Sequence, residues 1–154
     1  MRILFIGESP PTGGTFFYDA NSLLYFATRD AYVAAMPELA DREFLTAFEQ
    51  MGCFLVDLSL EPIDKLPARE KRHARQASVP GLARRVKGMT PRVVVVVVKG
   101  IVPQVNDALA RAGFGDVPTE ALPFPGQWHR DDYVEGLTEL VKAWRRRRLL
   151  RSAQ

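Results

Sequence analysis

The chain is poor in the residues that build metal and redox sites. Its 154 residues include one cysteine, Cys53, and two histidines, His73 and His129. A lone thiol allows no intrachain disulfide and no cysteine-built zinc or iron–sulfur centre, so a reducing, cytosolic setting with no metal and no cofactor is expected. No apolar run reaches the roughly 18 residues of a membrane span, and no charged-then-apolar leader is present, so neither insertion nor export is expected. There is no internal repeat and no linker long enough to divide the chain. With 47% hydrophobic residues, residues 1–154 read as a single domain with a sizeable core.

Acidic residues are scarce in one region. Residues 65–92 carry 9 basic side chains and a single acid, Glu70, whereas residues 1–64 carry 3 basic and 10 acidic ones. A second basic run, Arg145 to Arg148, stands near the C-terminus. The net charge is only +3, but this asymmetry favours a polyanionic partner, because phosphates neutralised by Lys and Arg release counterions. A solvated helix face with a basic tail would give the same pattern.

Apolar runs set the element order. Ile3–Ile6, Cys53–Leu58 and Val93–Val98 read as buried strands, and a fourth is expected near Glu120–Leu122. Helices are expected over 21–35, over 37–51 with Pro37 at the start and Gly52 as the stop, and over Val102–Ala112. Cationic helical pieces are expected at Ala68–Ala77 and Leu82–Val86, broken at Pro80–Gly81, and a last helix from Asp131 or Asp132 to about Leu150. Strands alternating with helices imply an α/β fold of three layers, α/β/α, around a short parallel four-stranded sheet. Ligands of such sheets bind beyond the carboxyl ends of the strands.

Three loops fall at those ends: GESPPTGGTFFY, DLSLEP and LPFPGQWHRDD. The first lacks both G-x-G-x-x-G and Gly-Lys-Ser/Thr, which excludes a dinucleotide fingerprint and a P-loop. Pro10 and Pro11 stiffen it, while Phe16 and Phe17 offer flat faces that suit a planar ligand such as a nucleobase, unless either ring is simply core. Asp57 closes an otherwise apolar strand, where a carboxylate either caps a local turn or reads a ligand. His129 and Arg130 sit at a helix start, a position that attracts anions; His73, among arginines, is expected to be solvated.

These loops, in this order, resemble the uracil-DNA glycosylase superfamily. GESPP at Gly7–Pro11 is similar to the G-E-A-P-G or G-Q-D-P-Y type first motif. FLVDL places Asp57 where many members carry a base-reading asparagine. VVVVVVKG resembles the V-V-V-L-L-G-K strand, and LPFP at Leu122–Pro125 resembles the H-P-S-P motif. Leu122 stands where the family often has a histidine, and the four cysteines of the iron–sulfur branches are absent.

The resemblance implies a uracil-DNA-glycosylase-like fold and a monomeric enzyme acting on uracil-containing DNA, removing uracil or a related damaged base by hydrolysis of the N-glycosidic bond. It implies base contacts from Gly7, Phe16, Phe17 and Asp57, and water handling by Glu8 or Ser9. His129 would substitute for the missing histidine as donor to the departing base. Backbone contacts to DNA are expected from Pro123, Pro125, Gln127, Arg130, Arg84 and Arg85. Two alternatives stay open: a relative that binds DNA or abasic sites without turnover, and an enzyme of free nucleosides or nucleotides.

Overall fold

The computed structural model describes all 154 residues. Four strands, β1 (Ile3–Gly7), β2 (Cys53–Asp57), β3 (Val93–Val96) and β4 (Thr119–Ala121), form one sheet in the order β2-β1-β3-β4, with every pair parallel. Six helices connect and follow them: α1 (Leu23–Ala35), α2 (Phe44–Gln50), α3 (Ala68–Ala77), α4 (Val79–Lys87), α5 (Val102–Arg111) and α6 (Arg130–Arg146).

The alternation of side chains along each strand explains the three layers. Ile3, Phe5, Cys53, Leu55, Val93 and Val95 face one side and bury against α1, α2 and α6. Leu4, Ile6, Val94 and Val96 face the other, against α4 and α5. Both faces are covered, so the strands carry unbroken apolar runs. The connection from β1 to β2 runs outward, whereas that from β2 to β3 returns past β1. This reversal puts the two sets of helices on opposite faces and opens a crevice at the strands' carboxyl ends.

Several boundaries differ from expectation, each for a local reason. Residues 37–51 are not one helix: a 3-10 turn at Pro37–Leu39 is followed by α2, whose start is capped by Glu43, with its carboxylate accepting from the Thr46 and Leu45 amides at 2.7 and 3.2 Å. Pro80–Gly81 does not break a helix. Pro80 sits in the first turn of α4, where no amide donor is needed. The last helix stops at Arg146, because Arg148 turns left-handed (φ 58°) and the Leu149 amide bonds back to the Trp144 carbonyl at 2.9 Å. The chain then folds back, and the Arg151 amide reaches the Met51 carbonyl at 3.0 Å. No helix is long and apolar enough to cross a membrane.

Strand β2 pairs only with β1, which leaves its outer edge open. Tyr18 closes that edge: its hydroxyl donates to the Leu55 carbonyl and accepts from the Leu55 amide, both at 2.8 Å. Tyr18→Phe should therefore cost about 1–2 kcal/mol, the loss of two main-chain hydrogen bonds partly replaced by water. Urea denaturation checks this; an unchanged midpoint would mean that water serves the edge equally well.

Candidate functional site

A cavity of about 390 Å³ opens at the carboxyl ends of the strands. Its lining comes from the loop after β1 (Gly7 to Pro11, Thr15 to Phe17), the start of α1 (Ser22 to Leu24), β2 (Leu55, Asp57), the stretch after it (Asp64), α3 (Arg75) and the segments after β3 and β4 (Val98, Phe124). All three loops expected to converge supply lining residues.

The position of Asp57 follows from strand periodicity. Cys53 and Leu55 bury on one face, and Asp57 is the next residue on that face, just past the end of the apolar layer. It pairs in register with Gly7. A Cβ on Gly7 would lie 2.6 Å from Asp57 Oδ1, so the absent side chain is what lets the carboxylate stand over β1. Burial pushes the Asp57 carboxyl up to about 6; the nearby Glu8 adds to the rise and Arg85 opposes it. Arg85 does not pair with that carboxylate directly. Its guanidinium donates to the main-chain carbonyls of Asp57 and Leu58, at 2.8 and 3.1 Å. Asp57 is thus not the cap of a local turn.

Glu8 stands beside it, held by Arg75 through its Nε at 2.7 Å and its Nη2, both to Oε2. Glu8 and Arg75 side chains are 14% and 19% exposed, enough shielding for the pair to fix both groups. The loop itself is pinned from beneath. Ser9 Oγ accepts from the Ile63 amide at 3.3 Å, and Thr12 bonds through its amide and hydroxyl to Asp64.

The aromatic rings divide the work. Phe17 is 3% exposed and packs against Tyr18, Tyr25 and Phe48, reaching the cavity with only part of its ring. Phe16 is 36% exposed and Phe124 42%, so these two present the open apolar faces. Phe124 was not anticipated; its neighbours Pro123 and Pro125, expected to contact DNA, are half-buried and buried outside the lining.

The other expected site residues lie outside the cavity lining. His129 lies outside the cavity, at the exposed start of α6, with Nδ1 4.0 Å from Asp132. Its loop turns away after Phe124 through a hydrogen bond from the Gly126 amide to the Phe124 carbonyl. Leu122, at the position of the family's histidine, is core: it packs against Gly136, where a Cβ would come within 2.8 Å of Leu122 Cδ2. Arg130 pairs with Asp30 of α1, and Gln127 is exposed. Arg84 is exposed, but Arg85 is committed to main-chain carbonyls.

The two basic stretches are set apart in the structure. Helix α3 buries no residue and is tied down by Arg75 on Glu8 and by Lys71 on the Asp64 carbonyl at 3.0 Å. Arg69 and Arg72 of the same helix are exposed. The Arg145–Arg148 run lies at the opposite end of the sheet, where Arg145 and Arg148 line a second depression with Arg42 and Arg151. Five strand residues separate the two ends by about 16 Å.

Arg75, like Phe124, is a lining residue that the sequence did not single out. It is one of nine basic residues in its stretch, and nothing in the local pattern sets it apart. No group of three or more His, Cys, Asp or Glu side chains is arranged to hold a metal ion.

No protein-family model matches this chain, and no curated protein matches it in sequence.

The raised Asp57 carboxyl makes a stability prediction. A carboxyl whose folded value lies above its unfolded value holds more protons in the native state between the two. Its contribution is therefore complete below about pH 4 and is lost as pH rises towards 6. Asp57→Asn should remove that loss, stabilising the protein by on the order of 2 kcal/mol at pH 7.5 relative to its effect at pH 4. Paired urea titrations at the two pH values measure it; equal effects at both would place an ordinary, solvated carboxylate at this position.

Proposed function

We propose that this protein is a DNA glycosylase of the uracil-DNA-glycosylase type, which extrudes uracil or a related damaged base from DNA and hydrolyses its N-glycosidic bond. The observation that carries the reading is the cavity itself: about 390 Å³ at the carboxyl ends of the strands, lined by the rings of Phe16, Phe17 and Phe124 and by the carboxylates of Glu8 and Asp57. Extruding a base costs a few kcal/mol of unstacking, and stacking on Phe16 and Phe124 offsets it.

Cleavage builds positive charge on the sugar and negative charge on the base. Glu8 is placed to face the first, while the lining keeps no free side-chain donor of fixed polarity for the second, because Arg75 is held by Glu8. Oε2 of Glu8 is held by Arg75, leaving Oε1 to orient water. In the hydrolysis the water oxygen bonds to C1′, the glycosidic electron pair leaves with the base, and a water proton is taken up by Glu8 or by the departing base. The exposed Arg69 and Arg72 of α3, the helix that carries Arg75 into the lining, would hold the phosphates.

A second reading is favoured by one specific observation. Glu8 and Arg75 neutralise each other, and no histidine enters the slot, which suits a protein that binds a flipped base or abasic site without turnover.

Release of free base from oligonucleotides carrying single deaminated or alkylated bases, scored as alkali-labile sites, separates the two. Excision of at least one base is expected. Retained binding with no abasic product from any strand would overturn the enzyme reading in favour of the binding one. Arg69→Ala with Arg72→Ala should lower the slope of log affinity against log salt by about two, near 0.9 per lost phosphate contact, whereas Arg147→Ala with Arg148→Ala should leave it unchanged. The reverse pattern would move the DNA to the opposite end of the sheet.

A further inference from the structure

The polar lining of the slot is lopsided, and this constrains its ligand. Asp57 contributes only its main-chain carbonyl to hydrogen bonds within the chain; neither carboxylate oxygen has a partner, although the group is mostly shielded from water. Glu8 uses Oε2 twice and Oε1 not at all. The one side chain of fixed donor character in the lining, Arg75, is spent on Glu8 and on the Gly100 carbonyl at 3.4 Å. Three carboxylates, Glu8, Asp57 and Asp64, face a single guanidinium across the lining. Such a slot is unsuited to a phosphate or a carboxylate, and its side chains of fixed polarity offer acceptors only.

Uracil presents acceptor, donor and acceptor along the edge that a base-reading group would meet. An ionised carboxylate satisfies the central N–H and is repelled by the carbonyl beside it. Two adjacent N–H groups instead engage both oxygens of one carboxylate, the arrangement that makes bidentate pairs strong. We infer that the slot reads a base whose edge carries two adjacent N–H donors, an amidine edge such as that of guanine-type rings, with Asp57 as the specificity-determining residue. This rests on the base-binding part of the proposed function and narrows it to one class of damaged base.

The electrostatics agree with the geometry. Burial raises the Asp57 carboxyl to about 6; of the groups facing it, Arg85 on α4 lowers the value and Glu8 just past β1 raises it, and the Tyr18 hydroxyl stands nearby in the turn before α1. An N–H pair on the ligand would favour the ionised form, so an amidine edge binds more tightly as pH rises through 6. Uracil needs the protonated acid, which accepts from N3–H and donates to O4, so its binding weakens over the same range.

Isocytosine and uracil test this directly, because they are rings of the same size that differ in the edge presented. Their binding to the whole protein is measured by calorimetry or ligand-observed NMR at pH 5 and pH 7.5. At pH 7.5 isocytosine should bind about 10- to 100-fold more tightly than uracil, the difference made by one charge-assisted hydrogen bond, and the preference should shrink at pH 5. Asp57→Asn, which keeps the shape and supplies a donor, should abolish or reverse it.

Equal or tighter uracil binding at pH 7.5, a preference that survives Asp57→Asn, or no binding of either ring would overturn the inference. Base release from DNA reads the other question independently. Isocytosine preference without excision from any strand leaves the edge specificity standing and removes the enzyme, whereas uracil excision without the preference does the opposite.

Discussion

Strands β1 and β2 run parallel and in register, and their last paired residues are Gly7 and Asp57. The carboxylate occupies the volume a side chain on residue 7 would have filled, within 2.6 Å of that missing Cβ. Much of the cavity's architecture depends on this juxtaposition. Past Gly7 the chain rises into the proline-stiffened loop that brings Glu8 and Phe16 to the lining, and past Asp57 it runs under that loop to Ile63 and Asp64, which pin it. Any side chain at position 7 would push Asp57 out of the slot or separate the two strands.

A carboxylate in that place is costly to ionise, and the fold offsets the cost only in part. Arg85 comes close enough to favour the charge but spends its donors on main-chain carbonyls. The next available cation, Arg75, goes to Glu8. An acid left without a protein partner among aromatic walls is an expensive feature for stability alone. It is intelligible as a group kept free for a ligand, in the way that perturbed titrations collect at functional sites. Helix α3 belongs to the same logic. It has no buried residue of its own, and Arg75 and Lys71 tie it to Glu8 and to the Asp64 carbonyl.

The layers and the cavity's location were legible in the sequence because each rests on a local signal. The unbroken apolar runs announced covered strands, and the polar, proline- and glycine-rich loops at their ends announced the convergence. Asp57 stood out as the one charge closing an apolar strand. What could not be read depended on long-range geometry. Residues 37–51 looked like one helix because the capping role of Glu43 is invisible until α2 is oriented. His129 seemed close to the slot because it follows Phe124 by only five positions, yet the turn at Gly126 carries it away. Arg75 was hidden among like charges, and Arg85 looked like a phosphate ligand until its carbonyl partners were in place. The two basic runs, alike in composition, lie at opposite ends of the sheet.

The site turns on Asp57, a largely buried carboxyl in the cavity lining whose oxygens have no hydrogen-bond partner within the chain. Carbon-13 NMR titration of its side-chain carboxyl, assigned by loss of the signal in Asp57→Asn, tests this most directly. A midpoint near 6 in the free protein is expected, falling when an amidine-edged ring binds. A midpoint near 4 that does not respond to such a ring would contradict the account.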